Sequence, residues 1–201
     1  MENTSKKQQI GLFFGSFNPI HVGHLIIANH MLNCSHLDQI WMVVTPQNPL
    51  KSKASLALDY DRLKMVELAI GDNTRIRASN IEFSLPKPSF TIDTLTYLSE
   101  KYPTKQFTLI MGADNLSTID KWKNYNEILE GYGIVVYKRE GSEPKLPNTV
   151  VGKFNVSIID APLLDISSTF IRSLSKENKS IRYFVNDEVY NYIKERGLYQ
   201  N

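Results

Sequence analysis

The segment from Gly15 to His24 reads GSFNPIHVGH and lies between two apolar runs, Ile10 to Phe14 and Leu25 to Leu32. The first run is short and ends at a glycine, which is typical of a buried strand. The second run has the length of a helix, and the pair Asn18–Pro19 suits a helix N-cap followed by the first helical residue. The chain is therefore predicted to pass from a strand through a tight turn into a helix that carries two histidines near its start.

Short apolar runs alternate with amphipathic runs of helical length along the rest of the chain. Further strands are predicted at 39–44, within 75–83, and at 107–111, 133–137 and 156–159. Helices are predicted at 60–70, ending at Gly71, and at 91–101, 124–129, 168–174 and 187–196. Alternating β and α units predict an α/β protein whose mostly parallel sheet is covered by helices on both faces. In such sheets ligands bind beyond the carboxyl ends of the strands, so the loops at 15–24, 45–53 and 112–122 are expected to open on one edge.

The composition is that of an ordinary globular protein, with 201 residues, 42% of them hydrophobic and 22% charged. This length predicts a single domain, 1–201, with a core at 9–165 and C-terminal helices at 166–201. The net charge of +2 is too small to indicate a nucleic-acid partner. Cys34 is the only cysteine, which excludes a disulfide framework and a cysteine-based zinc site.

No segment of the chain approaches the ~20 apolar residues that a membrane span requires, so no membrane contact is predicted. Residues 1–9 are polar, and the apolar run behind them is shorter than the roughly 7–15 residues of a signal-peptide core. These features predict a cytoplasmic enzyme or binding protein. A homo-oligomer is compatible with the sequence.

His21 and His24 are three residues apart, so on a helix they share one face. Neither is expected in the core, because the apolar stripe begins at Leu25. The start of a helix presents free N–H groups and a partial positive charge, which favour a bound phosphate. Two exposed histidines without a function are the simpler alternative. Zinc is disfavoured, since histidine pairs on zinc-binding helices are usually four apart and need a third ligand, and His30 and His36 fall on other faces.

Residues 166–172 read ISSTFIR and form a second candidate phosphate site. Its serines and threonine could cap a helix that begins near Ser168, whose free N–H groups could bind phosphate oxygens. Arg172, one turn further on, could make a forked contact with the same anion. The alternative is a plain capped helix with a solvated arginine.

Four other places carry polar or aromatic groups that suit a nucleotide. Asp114, just after the strand at 107–111, could bind ribose hydroxyls or cap a helix. Trp122 lies in a polar context, which is typical of a half-buried ring or a stacking platform for a flat ligand. Lys51 lies in a proline-containing loop and could reach a triphosphate or be solvated. Thr91 and Thr94 offer hydroxyls at the start of a predicted helix.

The segments 15–24 and 166–172 resemble the two signatures of the nucleotidyltransferase superfamily, G-x-F-D/N-P-x-H-x-G-H and I-S-S-T-x-I-R. Within it the chain is similar to the nicotinate-nucleotide adenylyltransferases, and the similarity spans nearly its whole length. The further matching pieces are 46–51, 62–65, 89–95, 111–116, Trp122 and 183–199. Two departures are Leu50, where many members have histidine before the lysine, and Asn18 with Ser16, where many have Gly-Thr-Phe-Asp.

The resemblance implies a Rossmann-like, doubly wound fold. It also implies transfer of AMP from ATP to nicotinate mononucleotide, which gives nicotinate adenine dinucleotide and pyrophosphate, with Mg²⁺ accompanying ATP as co-substrate. The attacking phosphate has a second pKa of about 6 and needs no general base. Two alternatives stay open: another transferase of the superfamily, acting on phosphopantetheine or nicotinamide mononucleotide, and a non-catalytic nucleotide-binding module. An oxidoreductase is disfavoured, since no G-x-G-x-x-G follows the first strand.

The resemblance also implies roles for individual residues. His21, His24 and Arg172 are the catalytic residues, and His24 stabilises the transition state at the α-phosphorus. The implied ATP-binding residues are Gly15, Ser16, Phe17, His21, His24, Gly112, Asp114, Ser167, Ser168, Thr169 and Arg172. The implied binding residues for the second substrate are Lys51, Thr91, Thr94 and Trp122, with Thr91 and Trp122 framing the nicotinate ring.

Overall fold

A parallel six-stranded sheet forms the centre of the protein, as seen in a computed structural model that describes residues 7–46, 56–138, 143–162 and 164–200. The strands are β1 (Gln8–Gly15), β2 (Gln39–Val44), β3 (Ile76–Ser79), β4 (Lys105–Gly112), β5 (Gly133–Lys138) and β6 (Val156–Asp160). Their spatial order is β3-β2-β1-β4-β5-β6, and each neighbouring pair is parallel. This is the doubly wound Rossmann order, with the topological switch point between β1 and β4. The predicted fold class is confirmed.

Residues of β1 pack alternately on the two faces of the sheet. Ile10 and Leu12 belong to one buried cluster, and Phe13 belongs to the other. Successive strand side chains point to opposite faces, so a strand covered on both sides needs apolar residues at nearly every position. The continuous apolar runs in the sequence reflect this double burial.

The helices that cover the sheet follow the predicted spans closely, except for the short helix Ala113–Leu116, which was not predicted. They are α1 (Val22–Cys34), α2 (Asp59–Ile70), α3 (Thr91–Lys101), α4 (Ala113–Leu116), α5 (Tyr125–Gly131), α6 (Ser168–Lys176) and α7 (Asp187–Glu195). Single 3₁₀ turns occur at Ile81–Ser84 and Ile119–Lys121. The α2 helix ends at Gly71 as predicted. Among the described helices, none is both long and apolar enough to cross a membrane.

The start of α1 differs from the prediction. His21 is the N-cap residue and the helix begins at Val22, so the prediction of Asn18 as N-cap was wrong. The side-chain oxygen of Asn18 instead accepts hydrogen bonds from the backbone N–H of Ala57 (3.0 Å) and the hydroxyl of Tyr199 (2.8 Å). Asn18 therefore joins the loop after β1 to distant parts of the chain, and the Asn18–Pro19 peptide bond in this loop is cis.

The C-terminal helices pack against the sheet-covering layer. The hydroxyl of Tyr192 on α7 donates to the buried carboxylate of Asp61 on α2 (2.7 Å), and Arg196 forms an ion pair with the same carboxylate (3.3 Å). The backbone N–H of Val22 at the start of α1 donates to the carbonyl of Phe184 (2.9 Å). These contacts join α7 and the segment before it to α2 and α1, and the single domain stays a prediction.

Arg62 on α2 is fully buried and uses all five of its N–H donors. Its acceptors are Ala57 O (3.2 Å), Ser16 O (2.5 Å), Thr45 O (2.8 Å), Pro46 O (3.1 Å) and the carboxylate of Asp59 (2.7 Å). Ser16 and Thr45 directly follow β1 and β2. One buried guanidinium thus holds the carboxyl ends of two central strands to the first turn of α2.

We expect Arg62→Ala to lower the free energy of unfolding by about 3–5 kcal/mol, because it leaves buried carbonyls and a carboxylate without their donors. Urea denaturation followed by circular dichroism measures this loss. Lys64→Ala is the matched control on the same helix, since its ion pair with Glu67 is about half exposed, and should change stability by less than ~0.5 kcal/mol. A loss below ~1 kcal/mol for Arg62→Ala would contradict the assigned role.

Candidate active site

A cavity of about 1100 Å³ opens beyond the carboxyl ends of β1 and β4. This is the topological switch point, where doubly wound sheets bind their ligands. The volume is slightly above the range for ligand pockets, which is roughly 300–1,000 Å³. The site therefore has room for a ligand of dinucleotide size, and the predicted convergence of the loops after β1 and β4 is confirmed.

Gly15 and Phe17 shape the loop at the end of β1. A side chain at residue 15 would approach the ring of Phe17 to 2.8 Å, so only glycine leaves room for the ring to fold back. Phe17 has a positive φ of 43° and is buried. Its ring makes an edge contact with the imidazole of His24, with 5.1 Å between the ring centroids. The loop thus holds one wall of the cavity against the start of α1.

The two histidines lie side by side at the entrance to α1. Their ring centroids are 3.7 Å apart with 33° between the planes. His21 is only 7% exposed, so the expectation that neither histidine is buried was wrong for this residue. The cause is the position of His21 before the helix, where it turns inward as the N-cap instead of lying on the outer helical face.

A hydrogen bond defines the tautomer of His24. Its Nδ1 accepts the backbone N–H of His21 at 3.2 Å. A neutral imidazole that accepts at Nδ1 carries its proton at Nε2. Because His24 lines the cavity, its ring can serve there as a hydrogen-bond donor to an anion.

The second motif forms the start of α6. Ser167 is the N-cap, and its side chain accepts the backbone N–H of Phe170 at 3.2 Å, which confirms the predicted cap. The hydroxyl of Ser168 donates to Pro19 O (2.9 Å). Arg172 donates to Asn18 O (2.8 Å) and to the hydroxyl of Thr169 (3.3 Å). The two motifs, about 150 residues apart in sequence, are therefore bonded directly to each other beside the cavity.

Most of the predicted site residues line this cavity. They are Gly15, Ser16, Phe17, His21, His24, Thr91, Asp114, Trp122, Ser167, Ser168, Thr169 and Arg172. Lys51 lies outside the described residues, so its predicted contact stays a prediction. Gly112 and Thr94 are not among the residues that line the cavity.

Gly112 and Thr94 lie behind the wall of the cavity. A side chain at residue 112 would collide with the carboxylate of Asp114, so the glycine leaves that carboxylate its place at the cavity. Thr94 is fully buried on α3, and its hydroxyl donates to the carboxylate of Glu82 at 2.8 Å. Gly112 and Thr94 thus contact Asp114 and Glu82, which line the cavity, and do not line it themselves.

Trp122 stands next to a charged and aromatic part of the wall. It is partly buried against the same cluster as Phe90. The ammonium of Lys123 lies 4.9 Å above the centre of the Phe90 ring and bonds to the carboxylate of Asp93 at 2.9 Å. This part of the cavity offers a flat ring and a cation to a ligand.

Glu82 and Tyr199 contribute to the site and were not predicted from the sequence. Burial raises the pKa of Glu82, and hydrogen bonds from hydroxyl groups partly oppose this effect. Burial also raises the pKa of Tyr199, whose hydroxyl is the donor to Asn18. Tyr199 ends the matching piece 183–199, but no site role was assigned to it, and the partners of Glu82 and Tyr199 lie 12 and 181 positions away in sequence.

Comparisons with known proteins agree with the fold and the motifs. A family model described as cytidylyltransferase-like matches residues 12–174. A curated relative from Cytophaga hutchinsonii is 54% identical, and the match covers 96% of this chain and 99% of the relative. A relative from Flavobacterium johnsoniae is 53% identical with the same coverage, and both carry the name "Probable nicotinate-nucleotide adenylyltransferase".

A solved structure has the same fold. It is the Plasmodium falciparum nicotinic acid mononucleotide adenylyltransferase complexed with NaAD, with a TM-score of 0.78 at 22% sequence identity. The match covers 96% of this chain and 97% of that one. The resemblance that the two motifs indicate is confirmed: the chain belongs to the cytidylyltransferase-like family and, within it, to the nicotinate-nucleotide adenylyltransferases.

Proposed function

We propose that the protein transfers the adenylyl group of ATP to nicotinate mononucleotide, forming nicotinate adenine dinucleotide and releasing pyrophosphate. One observation carries this proposal: Ser168 and Arg172 of the second motif are bonded to the loop of the first, so donors from both motifs surround one cavity. The relative from Cytophaga hutchinsonii, named as a probable nicotinate-nucleotide adenylyltransferase, is 54% identical over 96% of this chain, which supports the same reaction.

In this reaction a phosphate oxygen of the mononucleotide forms a bond to the α-phosphorus of ATP while the bond to the leaving pyrophosphate breaks. The attacking phosphate is mostly dianionic at neutral pH, since its second pKa is about 6, and no proton has to be removed. Catalysis then consists of positioning and of stabilising negative charge. The Nε2–H of His24 and the positive end of α1, where Gly23 and His24 line the cavity, suit the α-phosphate.

Arg172 and the start of α6 suit the β- and γ-phosphates. Arg172 is already oriented by its bond to Asn18 O, so less side-chain freedom is lost when an anion binds. Its remaining donors and the backbone N–H groups of Ser168 and Thr169 belong to the lining of the same cavity as His24. At the other end, Asp114 suits the ribose, while Thr91 and Trp122 suit the nicotinate ring.

Mg²⁺ would enter with ATP and neutralise charge on the triphosphate. Among the described residues no three His, Cys, Asp or Glu side chains are grouped so that they could hold a metal ion. This fits an ion that takes phosphate oxygens and water as its ligands, as Mg²⁺ commonly does. A cytoplasmic location and a homo-oligomeric state stay predictions.

The direct test of the reaction is pyrophosphate release from Mg-ATP with one second substrate at a time. We expect release with nicotinate mononucleotide at a kcat/KM well above that with nicotinamide mononucleotide, and none with phosphopantetheine. A preference for nicotinamide mononucleotide or phosphopantetheine would instead assign the protein to another type of transferase within the superfamily. Nucleotide binding without release in any of the mixtures would favour a binding module.

We expect His24→Ala to lower kcat by ~10²-fold or more, because removal of one transition-state donor typically costs that much. His36→Ala, an exposed histidine between α1 and β2, is the matched control and should keep normal turnover. Steady-state kinetics with saturating substrates, combined with circular dichroism of both variants, measure the difference. Near-normal turnover in a folded His24→Ala protein would exclude the role.

We expect Trp122→Ala to weaken binding of nicotinate mononucleotide by about tenfold, the size of one lost stacking contact, and to leave ATP binding unchanged. Calorimetric titration with each nucleotide measures both affinities. Tyr183→Ala, which removes an aromatic side chain that is 84% exposed, is the control. Equal weakening of both nucleotides would count against stacking on Trp122.

A further inference from the structure

Glu82 is a buried acid at the cavity that the proposed reaction does not use. It lies in the 3₁₀ turn Ile81–Ser84, is 2% exposed and is among the residues that line the cavity. Its Oε1 accepts the hydroxyl of Thr94 on α3 at 2.8 Å. The hydroxyls of Thr45 and Ser89 are its other polar neighbours. Its Oε2 is buried and makes no hydrogen bond of good geometry within the described residues.

A neutral carboxyl group suits this environment better than an ionised one. An ionised carboxylate with one bare, buried oxygen is costly, whereas a neutral group can turn its O–H toward a hydroxyl oxygen of Ser89 or Thr45. Burial raises the pKa of Glu82, while the hydrogen bonds from Thr94, Thr45 and Ser89 lower it by less. All three of these neighbours are uncharged.

The charged groups on the surrounding elements are paired with one another. Arg62, which bonds the carbonyl of Thr45, and Lys87, near Ser89, both pair with Asp59, and Asp93 on α3 pairs with Lys123. None of these pairs supplies a dedicated cation to Glu82 in the described part of the chain. The ionisation of Glu82 would therefore add an unbalanced negative charge at this wall.

The wall next to Glu82 is the one proposed to hold the pyridine ring. Ser89 leads directly into Phe90 and Thr91, and Thr91 opens α3 and faces the cavity. Lys123, adjacent to Trp122, lies over the Phe90 ring. Glu82 thus holds, through Ser89 and Thr94, the segment that frames the ring.

We propose that Glu82 is a positioning residue: its buried carboxyl group fixes the Ser89–Thr91 segment, and its ionisation weakens binding of nicotinate mononucleotide. This inference rests on the proposed function. The ring carboxylate of the substrate is negative throughout the neutral pH range, so a second negative charge behind the ring repels it. The amide of nicotinamide mononucleotide carries no charge and is not repelled.

The experiment compares the pH dependence of binding in wild type and Glu82→Gln. Calorimetry from pH 6.0 to 9.0 gives the Kd of each pyridine nucleotide, and pyrophosphate release gives kcat and KM. Ionisation of the substrate phosphate is common to both proteins, so the difference between their profiles isolates Glu82. Glu100→Gln, an exposed position on α3, is the matched control.

We expect the wild-type Kd for nicotinate mononucleotide to rise on the order of tenfold more than that of Glu82→Gln as the pH increases, the size of one like-charge repulsion across a partly buried site. Glu100→Gln should follow wild type at every pH. The inference would be overturned if the Kd for nicotinate mononucleotide changed with pH in the same way in wild type and in Glu82→Gln. An equal divergence of the two proteins with nicotinamide mononucleotide would also overturn it, since an uncharged ring group cannot be repelled.

Failure of the proposed reaction gives a different result. If nicotinate mononucleotide binds with the expected pH dependence but no pyrophosphate is released, the proposed function is wrong and the role of Glu82 stands. Should Glu82→Gln fail to fold, the ¹³C chemical shift of the Glu82 carboxyl in the wild type decides. A carboxyl that is ionised at every pH from 6.0 to 9.0 overturns the inference, and one that titrates within this range supports it.

Discussion

The buried guanidinium of Arg62 is the contact on which the geometry of the site depends. It binds the carbonyls of Ser16 and Thr45, which follow two adjacent strands, and the carboxylate of Asp59 at the start of α2. Loops at strand ends have few contacts of their own, so a rigid planar group with several donors determines how they leave the sheet. The positive charge of Arg62 is neutralised by the ion pair with Asp59. Arg172, in contrast, lines the cavity, where its positive charge can interact with a ligand.

The two motifs form one hydrogen-bonded unit, because one motif supplies the acceptors and the other supplies the donors. The loop after β1 has carbonyl oxygens at Asn18 and Pro19, and α6 brings the donors Arg172 and Ser168 to them. The contact satisfies polar groups of a loop near the cavity and orients an arginine before any ligand arrives. The two signatures are therefore two halves of one hydrogen-bonded structure.

Patterns of residues close together in the sequence were sufficient to predict most of the helices and strands. The predictions at the site that were wrong or missing depend on contacts between segments that are distant in the sequence. The N-cap at Ser167, the end of α2 at Gly71 and the strand before Gly15 each depend on residues within a few positions, so the sequence was sufficient for them. The start of α1 was wrong because Asn18 bonds Ala57 and Tyr199 instead of capping a helix. The burial of Thr94 against Glu82, like the five bonds of Arg62, required knowledge of which segments meet in space.

The contact between Tyr199 and Asn18 has a consequence for the order in which the protein matures. Its two partners are 181 positions apart, so this bond to the loop of the first motif cannot form until residue 199 has been synthesised. A growing chain can form the first strands of the sheet on the ribosome well before this bond exists. A growing polypeptide that has not reached residue 199 therefore carries the first motif without this support for its loop.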